Sequence, residues 1–225
     1  MSKESNYTAL KKFSRDQGID LFGVADISEI KKDFLLKEKL LKQVDTAVSL
    51  GIALSAGVLE DVEAAPTRLY FHHYKTVNMF LDQTALKLAR YLQTKGYLAV
   101  PIPASIIVDW QSQKAHLSHK TIGHLAGLGW IGRNNLLVNK DLGSQFRLAT
   151  ILTDMPLKVD RRQRFSCGTC LLCKTACPAG AIHDDPAHFD HQRCFAQLKE
   201  FQKQRLVDQY ICGVCVHTCV GLKKS

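Results

Sequence analysis

The chain has 225 residues, 46% hydrophobic and 23% charged, a balance that excludes intrinsic disorder and is enough to bury a core. No apolar run reaches the ~18 residues of a membrane span, and the opening MSKESNYTALKKFSRDQG is too polar for a secretory leader. A cytoplasmic protein with no membrane partner is expected. The formal charge of +9 suits an anionic partner or a plain soluble surface.

Taken in chain order, Tyr7, Leu10 and Phe13 recur at helical spacing over residues 6–17, with Gly18 as the stop. Residues 20–25 (DLFGVA) read as a short buried strand, 27–43 as a basic amphipathic helix and 46–55 (TAVSLGIALS) as the clearest strand. A long helix follows Pro66 and runs to Lys95, with Leu81, Ala85, Leu88 and Leu92 on one face and Gly96 beyond its end. Residues 97–103 and 105–108 resemble strands, 116–126 a helix, and 135–138 and 146–154 strands again. Strands alternating with helices predict an α/β (α+β) domain over residues 1–158.

HLAGLGWIGRNN, residues 124–135, contains a literal Gly-x-Gly-x-x-Gly at Gly127, Gly129 and Gly132. A dinucleotide site needs a strand before these glycines and a helix after them. The order here is the reverse, so the segment is a tight turn and not a nucleotide loop.

All eight cysteines lie between Cys167 and Cys219. In a cytosolic chain that concentration points to metal and not to disulfides, and it sets off residues 159–225 as a second module. CGTCLLCKTACP has the C-x2-C-x2-C-x3-C-P spacing of two-cluster ferredoxins, in which the fourth cysteine serves the other cluster. That pattern assigns Cys167, Cys170, Cys173 and Cys219 to one [4Fe-4S] cluster, and Cys177, Cys194, Cys212 and Cys215 to a second. Two clusters of about −2 each would bring the net charge to roughly +5. Zinc is the alternative, although paired C-x2-C knuckles suit it better than a three-cysteine run. His183, His188, His191 and His217 are read as surface or packing residues, and the adjacent His72 and His73 diverge too far on a helix to share a metal.

The ordered series GIDLFGVADI, AGLGWIGRNNLLV, GSQFRLATILTDMPL, CGTCLLCKTACPAGAI and RCFAQL before CGVC resembles the epoxyqueuosine reductase family, which shares its core with the reductive dehalogenases. The resemblance implies a corrinoid-binding-type domain followed by a two-cluster ferredoxin-like module. It also implies cobalamin as a cofactor and an external low-potential donor of ferredoxin or flavodoxin type. The nearest substrate precedent is a modified nucleoside in tRNA. It places Gly127, Gly129, Trp130, Gly132, Arg133, Asn134, Gly143 and Ser144 toward the corrinoid. The family's Asp-Thr-Gly-Pro proton-donor segment is missing from VDWQSQKAHLSHK, and neither a twin-arginine signal nor a C-terminal extension is seen. A short, cytoplasmic side branch is therefore expected. Its candidate proton donors are His119, Lys120 and Tyr74, with Asp109 a weaker fourth. Two rival readings remain, a non-catalytic electron carrier and a partner that reduces the corrinoid of another protein.

Overall fold

The computed structural model describes residues 2–222. Its contacts partition the chain into two units, each assembled from three stretches: Met1–Ile52, Asn78–Leu128 and Arg147–Gln163 in the first, and Ala53–Val77, Gly129–Phe146 and Arg164–Ser225 in the second. The cysteine distribution suggested a linear division at 158. Instead, two earlier stretches join the cysteines, because the cysteine loops are short and poor in large apolar side chains and take their core from elsewhere.

In the first unit, helix α1 (Lys3–Asp16) begins before the apolar periodicity does, because the Ser2 hydroxyl accepts the Ser5 N–H and caps it. Strand β1 (Leu21–Asp26) pairs antiparallel with β2 (Thr46–Ala53), Val24 facing Val48. The helix expected over 27–43 is not formed. Only a 3-10 turn (Lys31–Asp33) and the four-residue α2 (Glu38–Leu41) appear. One local and one distant partner break it. The Asp26 carboxylate accepts from both the Ser28 N–H and hydroxyl, and Leu35 gives both its N–H and its carbonyl oxygen to His116 instead of to a helix.

Beyond α3 (Ala56–Leu59) of the second unit comes α4 (Arg68–Thr94), whose residues from Asn78 onward count to the first unit. Leu81, Ala85, Leu88 and Leu92 are its buried face, as the spacing predicts. Strand β3 (Ala99–Ile102) follows, but residues 105–108 form no strand and run into an exposed turn in which Asp109 bridges to Lys114. Helix α5 (His119–Leu125) is capped by the Ser118 hydroxyl. Strands β4 (Trp130–Ile131) and β5 (Leu137–Val138) make a small antiparallel hairpin, and β6 (Phe146–Thr153) completes a four-stranded sheet of order β1-β2-β6-β3. The glycines therefore lie between a helix and a strand, the order that rules out a dinucleotide loop.

The second unit adds α6 (Leu172–Ala176), α7 (His191–Lys203) and α8 (Val214–His217). Its core comprises Leu59, Val62, Tyr70, Trp130, Val138, Ile182, Phe201 and Val214. The architecture is mixed α/β. Among the described residues no helix is long and apolar enough to cross a membrane.

Candidate functional site

The cysteines enter the second unit on short turns. Cys170 N–H donates to the Cys167 carbonyl at 3.0 Å, Gly168 takes φ +51°, and α6 ends at Cys177, where the chain turns extended ahead of Pro178. Cys167, Cys170, Cys173 and Cys219 all line one cavity of about 430 Å³, together with Trp130, Arg133 and Asn134. All eight thiols are unbridged.

Burial, with neighbouring thiols, raises five of them. Burial, and then the neighbouring Cys219, Cys167 and Cys170, push the Cys173 thiol up to about 11. Burial followed by Cys177 does the same to Cys194, and burial with Cys194 and Cys177 to Cys212, each to about 11. Cys215 is raised well above the usual thiol range by burial and then by Cys212, Cys194 and Cys177. Burial raises Cys219 too, against the hydrogen bonds it receives from Gly221 and Ser144. Cys173 acts on Cys215 as well. Among the described residues no three His, Cys, Asp or Glu side chains are gathered closely enough for a single metal ion.

The residues nominated to face a corrinoid have other partners. Trp130 is buried and donates its indole N–H to the Cys167 sulfur at 3.4 Å. Arg133 donates to three main-chain carbonyls: Gly168 at 2.7 Å, Asp184 at 2.8 Å and Cys170 at 3.0 Å. Asn134 is buried and donates to the Ser144 hydroxyl and the Cys215 carbonyl. The glycines are required by the chain itself. A Cβ at Gly129 would overlap the Val138 carbonyl, one at Gly143 the Cys219 carbonyl, and one at Gly127 the Arg161 carbonyl; at Gly132 it would meet the Val138 side chain and lie 3.5 Å from the Cys167 sulfur. Trp130, Arg133, Asn134, Gly132 and Gly143 thus meet the cysteine-bearing segments, whereas Gly127 and Gly129 make room for the Arg161 and Val138 carbonyls.

Of the proton-donor candidates, His119 and Lys120 belong to the first unit and Tyr74 to the second. His119 donates from Nε2 to the Pro103 carbonyl at 2.8 Å, which leaves Nδ1 to accept the Thr150 hydroxyl at 2.8 Å. Burial, opposed by the Pro103 bond and aided by Arg147, lowers its pKa to about 4. It is a neutral structural histidine. Burial also lowers the Lys120 ammonium. Tyr74 is buried with its ring 6.5 Å from that of Tyr70. Asp109 is exposed and accepts from the Ser112 hydroxyl and the Gln111 and Ser112 N–H groups, which keeps its carboxyl below the usual range. His217 donates from Nδ1 to the Val62 carbonyl, and His73 accepts the Ser55 N–H.

Sequence reasoning missed Gln145, Phe165 and Gly221. Gln145 donates to the His217 carbonyl at 2.6 Å, Phe165 packs on Trp130 with centroids 5.9 Å apart, and Gly221 supports Cys219. The signal for Gln145 was its place inside GSQFRL, one residue beyond the nominated Gly143 and Ser144.

No family model matches the chain. An epoxyqueuosine reductase of Yersinia pestis is 42% identical over 84 residues, 37% of this chain and 20% of the relative. That of Cyclobacterium marinum is 26% identical over 249 aligned positions, 96% of this chain and 79% of the relative. A catabolic reductive dehalogenase, solved with 3-bromo-4-hydroxybenzoic acid, superposes with a TM-score of 0.78 at 20% identity, over 97% of this chain and 32% of that one. The last likeness is one of fold. The chain thus matches only 20% of the first relative's length and about a third of the dehalogenase.

Proposed function

We propose that this chain, a relative of the epoxyqueuosine reductases, is an iron–sulfur oxidoreductase. In this reading it takes single electrons from a low-potential donor of ferredoxin or flavodoxin type and passes them through two [4Fe-4S] clusters to an acceptor. The convergence of Cys167, Cys170, Cys173 and Cys219 on one cavity, with the ferredoxin spacing of the cysteines, carries the reading. Cys167, Cys170, Cys173 and Cys219 would hold one cluster and Cys177, Cys194, Cys212 and Cys215 the other, each supplying one-electron reduction. Four thiolates around zinc stand about 3.8 Å apart if each is bonded at the usual Zn–S length in a tetrahedron, and no such tight group exists among the described residues. Eight unbridged thiols suit the reducing cytoplasm.

Family resemblance adds cobalamin as the acceptor and a tRNA nucleoside as the nearest substrate precedent. Of the residues nominated for the corrinoid, Trp130, Arg133, Asn134, Gly132 and Gly143 contact the cysteine-bearing segments. A second reading, an electron carrier or a partner reducing another protein's corrinoid, gains from the same finding and from the locked His119.

Anaerobic reconstitution with iron and sulfide analysis tests the proposal. About eight irons per chain are expected, falling to about four in both Cys170→Ser and Cys194→Ser. Stoichiometric zinc, or iron far below four, overturns the cluster reading. Titration with hydroxocobalamin then separates the alternatives: saturation near one corrin per chain favours the reductase, and no binding favours the carrier.

A further inference from the structure

The two quartets sit in unequal surroundings, a difference that matters once they hold the two clusters proposed above. The Cys167 sulfur accepts the indole N–H of Trp130. That donor is fixed on several sides. The β4–β5 register sets Trp130 opposite Val138, the ring is tilted 60° against Phe165, and only 4% of the residue is exposed. Gly132, two residues on, keeps the approach to the same sulfur clear of a side chain. At the other end of this quartet, the Ser144 N–H donates to the Cys219 carbonyl oxygen at 3.2 Å. The Arg133 guanidinium lines the same cavity, and Cys170 is exposed.

The second quartet is different. Cys177, Cys194, Cys212 and Cys215 are all half-buried, and Cys194 sits in the first turn of α7, which the Asp190 carboxylate caps.

Reduction of a four-thiolate cube adds one electron and no proton, taking its charge from about −2 to about −3. A hydrogen-bond donor, a cation or access to water stabilises the more negative state more strongly, whereas burial beside a carboxylate opposes it. The indole N–H on Cys167 and the exposure of Cys170 favour reduction of the first cluster, against the burial of Cys173.

We propose that the indole N–H of Trp130 sets the reduction potential of the cluster on Cys167, Cys170, Cys173 and Cys219 and holds it above that of its neighbour, so that electrons entering the chain collect there. The proposal rests on the two-cluster reading. Trp130 acts through the cysteine sulfur and is a tuning residue, with no contact to substrate invoked.

Trp130→Phe keeps a ring against Phe165 and removes the donor. Iron is counted first, and each cluster's potential is then read by anaerobic dithionite titration with electron paramagnetic resonance. The Cys170→Ser variant, which keeps only the second cluster, identifies the signals. In the wild type the first cluster should be the easier to reduce. In Trp130→Phe, its reduced-to-oxidised ratio at a fixed poise should fall about tenfold, or about 59 mV for one electron, with the second cluster unmoved.

A fully loaded Trp130→Phe with an unchanged first potential, a shift of the second cluster instead, or a wild-type order opposite to this one overturns the inference. In the wild type, the exchangeable indole proton should also couple to the spin of the reduced first cluster. Absence of that coupling overturns the inference even where a variant fails to load. A wild-type chain that binds no iron fails earlier, at the two-cluster reading itself.

Discussion

Arg133 donates from Nη1 to the carbonyl oxygen of Cys170 at 3.0 Å, so a cation of the glycine turn holds the backbone of the cysteine loop and not a ligand. With Nη2 on Gly168 and Nε on Asp184, one planar fork fixes three carbonyls that belong to no helix or strand. Arg133→Lys keeps the charge and loses the fork. We expect it to destabilise the loop by about 1–2 kcal/mol and to speed iron loss to a chelator several-fold under anaerobic conditions. An unchanged release rate would show that the fork carries no load.

His119 gives the fold an acid-sensitive element. Its pKa is about 4 in the folded chain, against 6.5 for the unperturbed ring. Below pH 6.5 the unfolded chain takes up a proton that the folded chain refuses, so stability falls as the pH drops from 6.5 to about 4 and this contribution is then lost. The loss is at most ~3 kcal/mol. Urea midpoints measured from pH 7 to 4 should fall more steeply for the wild type than for His119→Gln. Parallel curves would mean that the ring titrates normally.

Gly143 lies at φ +60°, and any Cβ there would overlap the Cys219 carbonyl. Gly143→Ala therefore strains the backbone and displaces a residue assigned to the first quartet, at a cost of about 2 kcal/mol or more. Iron analysis should show the first cluster depleted and the second retained. A fully loaded variant with wild-type stability would remove Gly143 from the supports of Cys219.

Features that depend on local chemistry could be read from the sequence. The buried face of α4 and the reversed order around the glycines both follow from spacing. What could not be read depends on distant partners. Residues 27–43 have helical periodicity, but the Leu35 backbone is bound to His116, far along the chain. His119 looked like a titrating side chain because nothing local reveals Thr150 and the Pro103 carbonyl. Gly129 and Gly143 were correctly picked out as sites of close approach, but the approaching atoms are the chain's own carbonyls, which a linear reading cannot locate.

The interleaving of the two units bears on how this chain can be made and divided. A fragment beginning at residue 159 would carry every cysteine and none of Trp130, Arg133, Asn134 or Ser144. In inheritance the cysteine segment cannot be exchanged as a cassette, because more than forty of the residues that support it are encoded upstream.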